Sequence, residues 1–148
     1  MADPSPTARS AQVVSTMCRD HVALADFYTA AFGFPRVPEV ESPIFVALDA
    51  GGVALGFHAD EAFDLLEVGD RRGGVTGNHV TFDLGTPEAV EASVEAFTAL
   101  GARVVKGPFT TYYDARQVVY LDPEGNVFRV SDTQTALAFA AATAGEGG

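Results

Sequence analysis

The segment Leu48-Asp49-Ala50-Gly51-Gly52-Val53-Ala54-Leu55-Gly56-Phe57 recurs without a gap 73 residues later, as Leu121-Asp122-Pro123-Glu124-Gly125-Asn126-Val127-Phe128-Arg129-Val130. Leu, Asp and Gly hold matched places, and both copies end in apolar, strand-like runs. Asp-Pro-x-Gly-Asn is turn chemistry: proline fixes φ, glycine or asparagine accepts positive φ, and apolar residues flank both sides. A repeat of this kind describes a chain built as two copies of one unit. The register extends beyond the turns, because Val13 stands seven residues before the helix-capping Asp20 and His79 stands seven before Thr86.

In the first copy, Ala11–Met17 alternates as a strand, and Asp20 caps a helix with its apolar stripe at Leu24, Phe27, Tyr28, Ala31 and Phe32. Gly33 ends that helix in the usual place for a left-handed residue. Ile44–Asp49 and Val53–His58 form a hairpin across Gly51-Gly52. The second copy repeats the order. Asn78–Leu84 is a strand with His79, Thr81 and Asp83 on one face and Val80, Phe82 and Leu84 on the other. Thr86 caps a helix with Pro87 at its first position and a stripe of Val90, Val94, Phe97 and Leu100, stopped at Gly101. Strands follow at Arg103–Val105, Ala115–Leu121 and Asn126–Ser131. The boundaries expected from this pass are a disordered lead-in at 1–10, a first unit at 11–59, and a linker at 60–77 carrying a short helix around Phe63. A second unit at 78–132 and an alanine-rich, helical tail at 133–148, frayed from Gly145, complete one domain.

The apolar share of 47% suits a globular core, and no run approaches the roughly 20 apolar residues a membrane span needs. Met1–Pro6 has neither a basic region nor an apolar core, and Cys18 is the single cysteine, so the expectation is a cytoplasmic protein without an internal disulfide. The formal net charge of −11 argues against nucleic-acid and anionic-membrane partners; it serves solubility and steers cationic ligands inward.

Two βαβββ units, Asp26-Phe27-Tyr28 ahead of Gly33-Phe34, the Gly77-Asn78-His79-Val80 strand and the Asp122–Asn126 turn together resemble the vicinal oxygen chelate superfamily of glyoxalases, bleomycin-resistance proteins and dioxygenases. The likeness covers residues 11 to 132. It implies an α+β fold in which the curved mixed sheets of two tandem units form a cup, with helices on the outer faces and a ligand or metal inside, and it implies a homodimer. Metal-using members draw His or Glu ligands from the first and last strand of each unit. Carried over, those positions are Val13, Gly56, His79 and Arg129, of which only His79 has a side chain able to coordinate a divalent ion, so the expectation is no metal and no cofactor. His58, on the same strand face as position 56, is the one substitute within reach. The linker carboxylates Asp60, Glu61 and Asp64 have no defined aim.

The candidate ligand-binding residues are His58, His79, Asp83, Phe45, Phe109, Tyr112, Tyr113, Arg116 and Arg129, each with a plainer reading beside it. His79 is either a ligand contact or a hydrogen-bonded structural histidine. Arg129 either grips an anionic or carbonyl group or pairs internally with Asp83. Phe109, Tyr112 and Tyr113 border the cup in the family, where rings sandwich a flat ligand, whereas Tyr120 belongs to the core. Phe45 and Phe57 read as core too, and Arg116 and Gln117 as rim. Cys18 lacks a histidine at activating distance, and no nucleophile elbow, phosphate loop or dinucleotide fingerprint occurs. The expected function is a metal-free binding protein of the bleomycin-resistance type, sequestering a cationic or flat aromatic small molecule such as an antibiotic. The rivals are a metal-dependent lyase, isomerase or dioxygenase using His58 and His79, and an accessory fold whose cup is filled by its own side chains.

Overall fold

The computed structural model describes residues 11–69 and 78–146. The lead-in expected at 1–10, the linker stretch 70–77 and the last two glycines lie outside the described residues. The chain divides into two compact units, residues 1–73 and 74–148, and each is taken by itself. The class is α+β, with one open mixed sheet per unit. Among the described residues, no helix is long and apolar enough to cross a membrane.

The first unit runs β1 (Val13–Cys18), α1 (His21–Phe32), a 3-10 turn (Pro38–Val40), β2 (Phe45–Asp49), β3 (Ala54–Ala59) and α2 (Ala62–Leu65). Its sheet has the order β1-β3-β2, with β1 parallel and β2 antiparallel to β3. Helix α1 begins where the Asp20 carboxylate accepts the Ala23 N–H at 3.0 Å and ends at Gly33, whose φ of 76° is open to glycine at little cost. It buries Leu24, Ala25, Phe27 and Tyr28 on the sheet, where the Tyr28 ring lies 5.5 Å from that of Phe57. The resemblance implies four strands here, and among the described residues the sheet has three. In the fourth place Pro35–Val37 lies along β2 through one bridge, Arg36 to Leu48, with the Val37 and Asp49 N–H groups donating across at 2.9 Å each. Pro35 and Pro38 have no N–H to donate, which keeps that segment from becoming a strand.

The second unit runs β4 (Val80–Gly85), α3 (Pro87–Ala99), β5 (Arg103–Thr110), β6 (Arg116–Leu121), β7 (Val127–Asp132) and α4 (Gln134–Glu146), with sheet order β4-β7-β6-β5. Thr86 caps α3 by accepting the Ala89 N–H at 3.1 Å, with Pro87 in the first turn. The buried stripe of α3 is Val90, Ser93 and Phe97; Leu100, expected in it, is exposed. Ser93 takes a buried place because its hydroxyl lies 2.7 Å from the Tyr120 hydroxyl and donates to the Val90 carbonyl. Phe82, Phe97, Tyr120 and Phe128 form the aromatic centre, with Tyr120 and Phe128 stacked at 5.1 Å. Strand β5 extends five residues past its expected end, to Thr110, through two register shifts against β6. Helix α4 reaches Glu146, into the stretch expected to be frayed.

The two Asp turns are alike in chemistry and different in length. Asp49 accepts the Gly51 N–H at 2.9 Å, and Asp122 accepts the N–H groups of Glu124 and Asn126 and the Asn126 amide at 2.9–3.1 Å. In the first unit Asp49 pairs with Ala54, whereas in the second Leu121 pairs with Val127, one residue farther round the turn. The counterpart of buried Leu48 is therefore Tyr120, not the Leu121 that the gapless alignment places there. A one-residue slip reverses every side chain of a strand. Val118 and Tyr120 consequently meet α3, and Gln117 and Val119 point to the opposite face, where Thr135 of α4 meets Gln117.

Candidate functional site

Directly opposed residues in a ladder share a face, so the pairs Phe109 with Gln117, Gln117 with Ser131, Val119 with Arg129 and Thr81 with Arg129 put one set of side chains on the face of the second sheet that is turned away from α3, over part of which the first turn of α4 lies. Gln117 is its centre and is 0% exposed. Its Nε2 lies 3.0 Å from the Thr135 hydroxyl, 3.2 Å from that of Tyr113 and 3.4 Å from that of Ser131, while its Oε1 is buried with no hydrogen-bond partner. The Tyr113 hydroxyl is held below its ordinary value of 10.0, first by hydrogen bonding with Thr135, then with Gln117 and by the nearby charge of Arg129. The Arg129 Nε donates to the Thr81 hydroxyl at 3.0 Å. Lys106 sits over the Phe109 ring, 4.1 Å from its centroid.

The expected Arg129 to Asp83 pair is not formed. Asp83 instead accepts the Gly85 N–H at 2.8 Å and the Thr133 hydroxyl at 3.0 Å, because the bulge at the end of β4 turns its carboxylate back onto its own strand end. Arg116 lies on the opposite face, bonded to Glu91 of α3 at 2.7 and 2.9 Å and to Thr110 at 3.2 Å. Strand alternation makes that outcome unavoidable once its neighbour Gln117 faces the other way. Tyr112 is 98% exposed, edge-on to Tyr113 at 4.9 Å. His79 is exposed and immediately precedes β4. The sequence reading placed Gln117 at the rim; its burial depends on the strand slip, which no local pattern announces.

In the first unit the helix-free face carries Val13, Ser15, Phe45, Gly56 and His58. The His58 ring packs on Phe45 at 4.5 Å, its Nδ1 is buried without a partner, and burial, then the charge of His21, lowers its pKa below 6.5. The folded chain thus holds His58 neutral, whereas the unfolded chain takes up a proton below pH 6.5. This contribution to stability is complete above that pH and is lost as pH falls through the lowered folded value. The denaturant midpoint should drop between pH 7.5 and pH 5.0, and His58→Gln should drop less; equal drops would contradict the assignment. A cavity of about 580 Å³ in the same unit is lined by Asp20, His21, Asp60, Glu61 and Asp64, which gathers the three carboxylates that seemed aimless in the sequence.

The model of the glyoxalase-like domain matches residues 12–131. The chain belongs to that family. Among solved structures, a glyoxalase/bleomycin resistance protein/dioxygenase family enzyme from Burkholderia phytofirmans PsJN is 40% identical, with a TM-score of 0.77 over 82% of this chain and 96% of that one. Two more distant structures share the fold alone. Lactoylglutathione lyase from Agrobacterium tumefaciens is 19% identical, with a TM-score of 0.67 over 88% and 98%. A mutant of the fosfomycin resistance protein FosX from Listeria monocytogenes, complexed with Mn(II) and a dihydroxypropylphosphonic acid, is 16% identical, with a TM-score of 0.66 over 87% and 95%. No protein of curated function matches the sequence.

Membership in the glyoxalase-like family raises the question of its metal, and the residues present do not fit one. Valine and glycine at positions 13 and 56 have no donor, and the Arg129 guanidinium is a fixed positive charge anchored on Thr81. The space of position 56 is also taken: a Cβ there would lie 2.7 Å from Ser15 Oγ, 2.9 Å from Phe45 Cε1 and 3.1 Å from Val13 Cγ1. Among the described residues, no three or more His, Cys, Asp or Glu side chains group so as to hold a metal ion.

Proposed function

We propose that this glyoxalase-like protein is a metal-independent binding protein of the bleomycin-resistance type, which sequesters a flat aromatic or cationic small molecule. One observation carries the reading: the position where the family presents a last-strand ligand in the first unit is a glycine whose side-chain space Ser15, Phe45 and Val13 already fill. The sheet faces remain furnished with rings and hydrogen-bonding groups, which suits retention of a ligand more than Lewis-acid chemistry. The metal-dependent lyase, isomerase or dioxygenase alternative lacks the donors it requires.

The test is a thermal-shift screen of flat aromatic and cationic antibiotics with and without EDTA. A binder at a hundredfold excess over its Kd stabilises the native state by about 2.7 kcal/mol, a rise in Tm of roughly 5–10 °C for a chain of this size. The shift should be the same with EDTA. A stoichiometric transition metal in protein purified without chelator, with turnover abolished on stripping, would replace this reading by the enzymatic one.

A further inference from the structure

Gln117 carries a primary amide with two donors and acceptor capacity on its oxygen, and the fold satisfies only one end of it. Three hydroxyls surround Nε2 and nothing meets Oε1. One end of a wholly buried polar group thus awaits a donor. Such groups are few in folded proteins and costly where they occur. One rung along the same face, about 7–8 Å away for a diagonal ladder neighbour, Arg129 is pinned through Nε to Thr81, and its two terminal amino groups face no carboxylate among the described residues. Phe109, the cross-strand partner of Gln117, adds a ring.

The charge on this face opposes that of the whole chain. Among the described residues, Arg129, Lys106 and Arg103, the last opposite Leu121, are its cations, and its acid, Asp83, is occupied by the Gly85 N–H and the Thr133 hydroxyl. A net charge of −11 attracts cations to the protein at large, but at hydrogen-bonding range the local groups decide. Resting on the binding function proposed above, we infer that the face of the second unit turned away from α3 takes a flat ring system bearing a carboxylate for Arg129 and, beside it, an N–H for the Gln117 amide oxygen. The planar guanidinium fork matches a carboxylate, and the acidified Tyr113 hydroxyl at the same amide adds a donor for its second oxygen.

Calorimetric titration of the full chain with four probes tests this: indole-2-carboxylate, benzofuran-2-carboxylate of the same shape without the N–H, uncharged indole-2-carboxamide, and the flat cation proflavine. Indole-2-carboxylate should bind, and the benzofuran acid should bind about tenfold more weakly, the effect of leaving a buried acceptor unpaired. The carboxamide should also bind about tenfold more weakly, a difference that Arg129→Gln should abolish. Gln117→Leu should erase the preference for indole over benzofuran; should that variant fail to fold, the comparison of the two acids on the parent protein decides alone. Equal binding of the two acids overturns the role of Gln117. Binding of proflavine without either acid overturns the ligand class and leaves the sequestering function standing. Failure of all four probes, with no antibiotic shifting the melt, brings down both.

Discussion

Replacing Phe128 by alanine should cost about 3–5 kcal/mol, the usual penalty for emptying a buried aromatic site. Phe128 is 1% exposed and stacks on Tyr120 at 5.1 Å, with Phe82 and Phe97 each at 6.2 Å. Its neighbours belong to β4, α3 and β6, so the cavity would open where every layer of the second unit meets and no single side chain can move in to fill it. Total stabilities of about 5–15 kcal/mol leave little after such a loss. Urea denaturation followed by circular dichroism measures it, and Phe139→Ala supplies the control, since Phe139 is 71% exposed and surface changes usually stay within about 0.5 kcal/mol. A loss below about 1 kcal/mol for Phe128→Ala would mean that this aromatic cluster is not the centre of the unit.

Installing the family's missing ligand by Gly56→His should destabilise the protein and yield no metal site. The new Cβ would meet Ser15 Oγ at 2.7 Å and Phe45 Cε1 at 2.9 Å, both in the same sheet, before the imidazole is placed at all. Overpacking of this kind costs about 1–3 kcal/mol. The three other positions would still present valine, a lone histidine and an arginine to any cation. Denaturant midpoints and elemental analysis after incubation with Zn(II) or Ni(II) give the two readouts. A variant as stable as its parent and holding one equivalent of metal would show that the site is latent, and the metal-free reading of this family member would fall with it. Adding Phe45→Ala to Gly56→His should recover part of the packing strain without bringing metal, which separates the steric obstacle from the chemical one.

What the amino-acid sequence determined was everything governed by contacts a few residues apart. Asp20 and Thr86 as caps, Gly33 as the helix end, the two Asp turns and the alternation of β1, β4 and β7 follow from side chains meeting their own backbone, and such chemistry is legible in any linear stretch. The family was legible as a resemblance, carried by Asp26-Phe27-Tyr28, Gly77-Asn78-His79-Val80 and the Asp122–Asn126 turn, and the glyoxalase-like domain match over residues 12–131 bears it out. That valine, glycine and arginine stand at positions 13, 56 and 129, where the resemblance expects metal ligands, is likewise read from the sequence without geometry.

What only the tertiary structure decided was which way β6 faces. The second Asp turn is one residue longer between ladder partners than the first, and that residue exchanges Leu121 for Tyr120 in the core. The same exchange sends Arg116 to Glu91 of α3 and brings Gln117 beneath Tyr113 and Thr135. Asp83 likewise left Arg129 for Gly85 and Thr133 because a bulge, set by pairing with β7, redirected its strand end. Alternation along a strand is encoded locally, but its phase relative to the helix is fixed by pairing with strands distant in sequence, and the side chains available to a ligand depend on that phase.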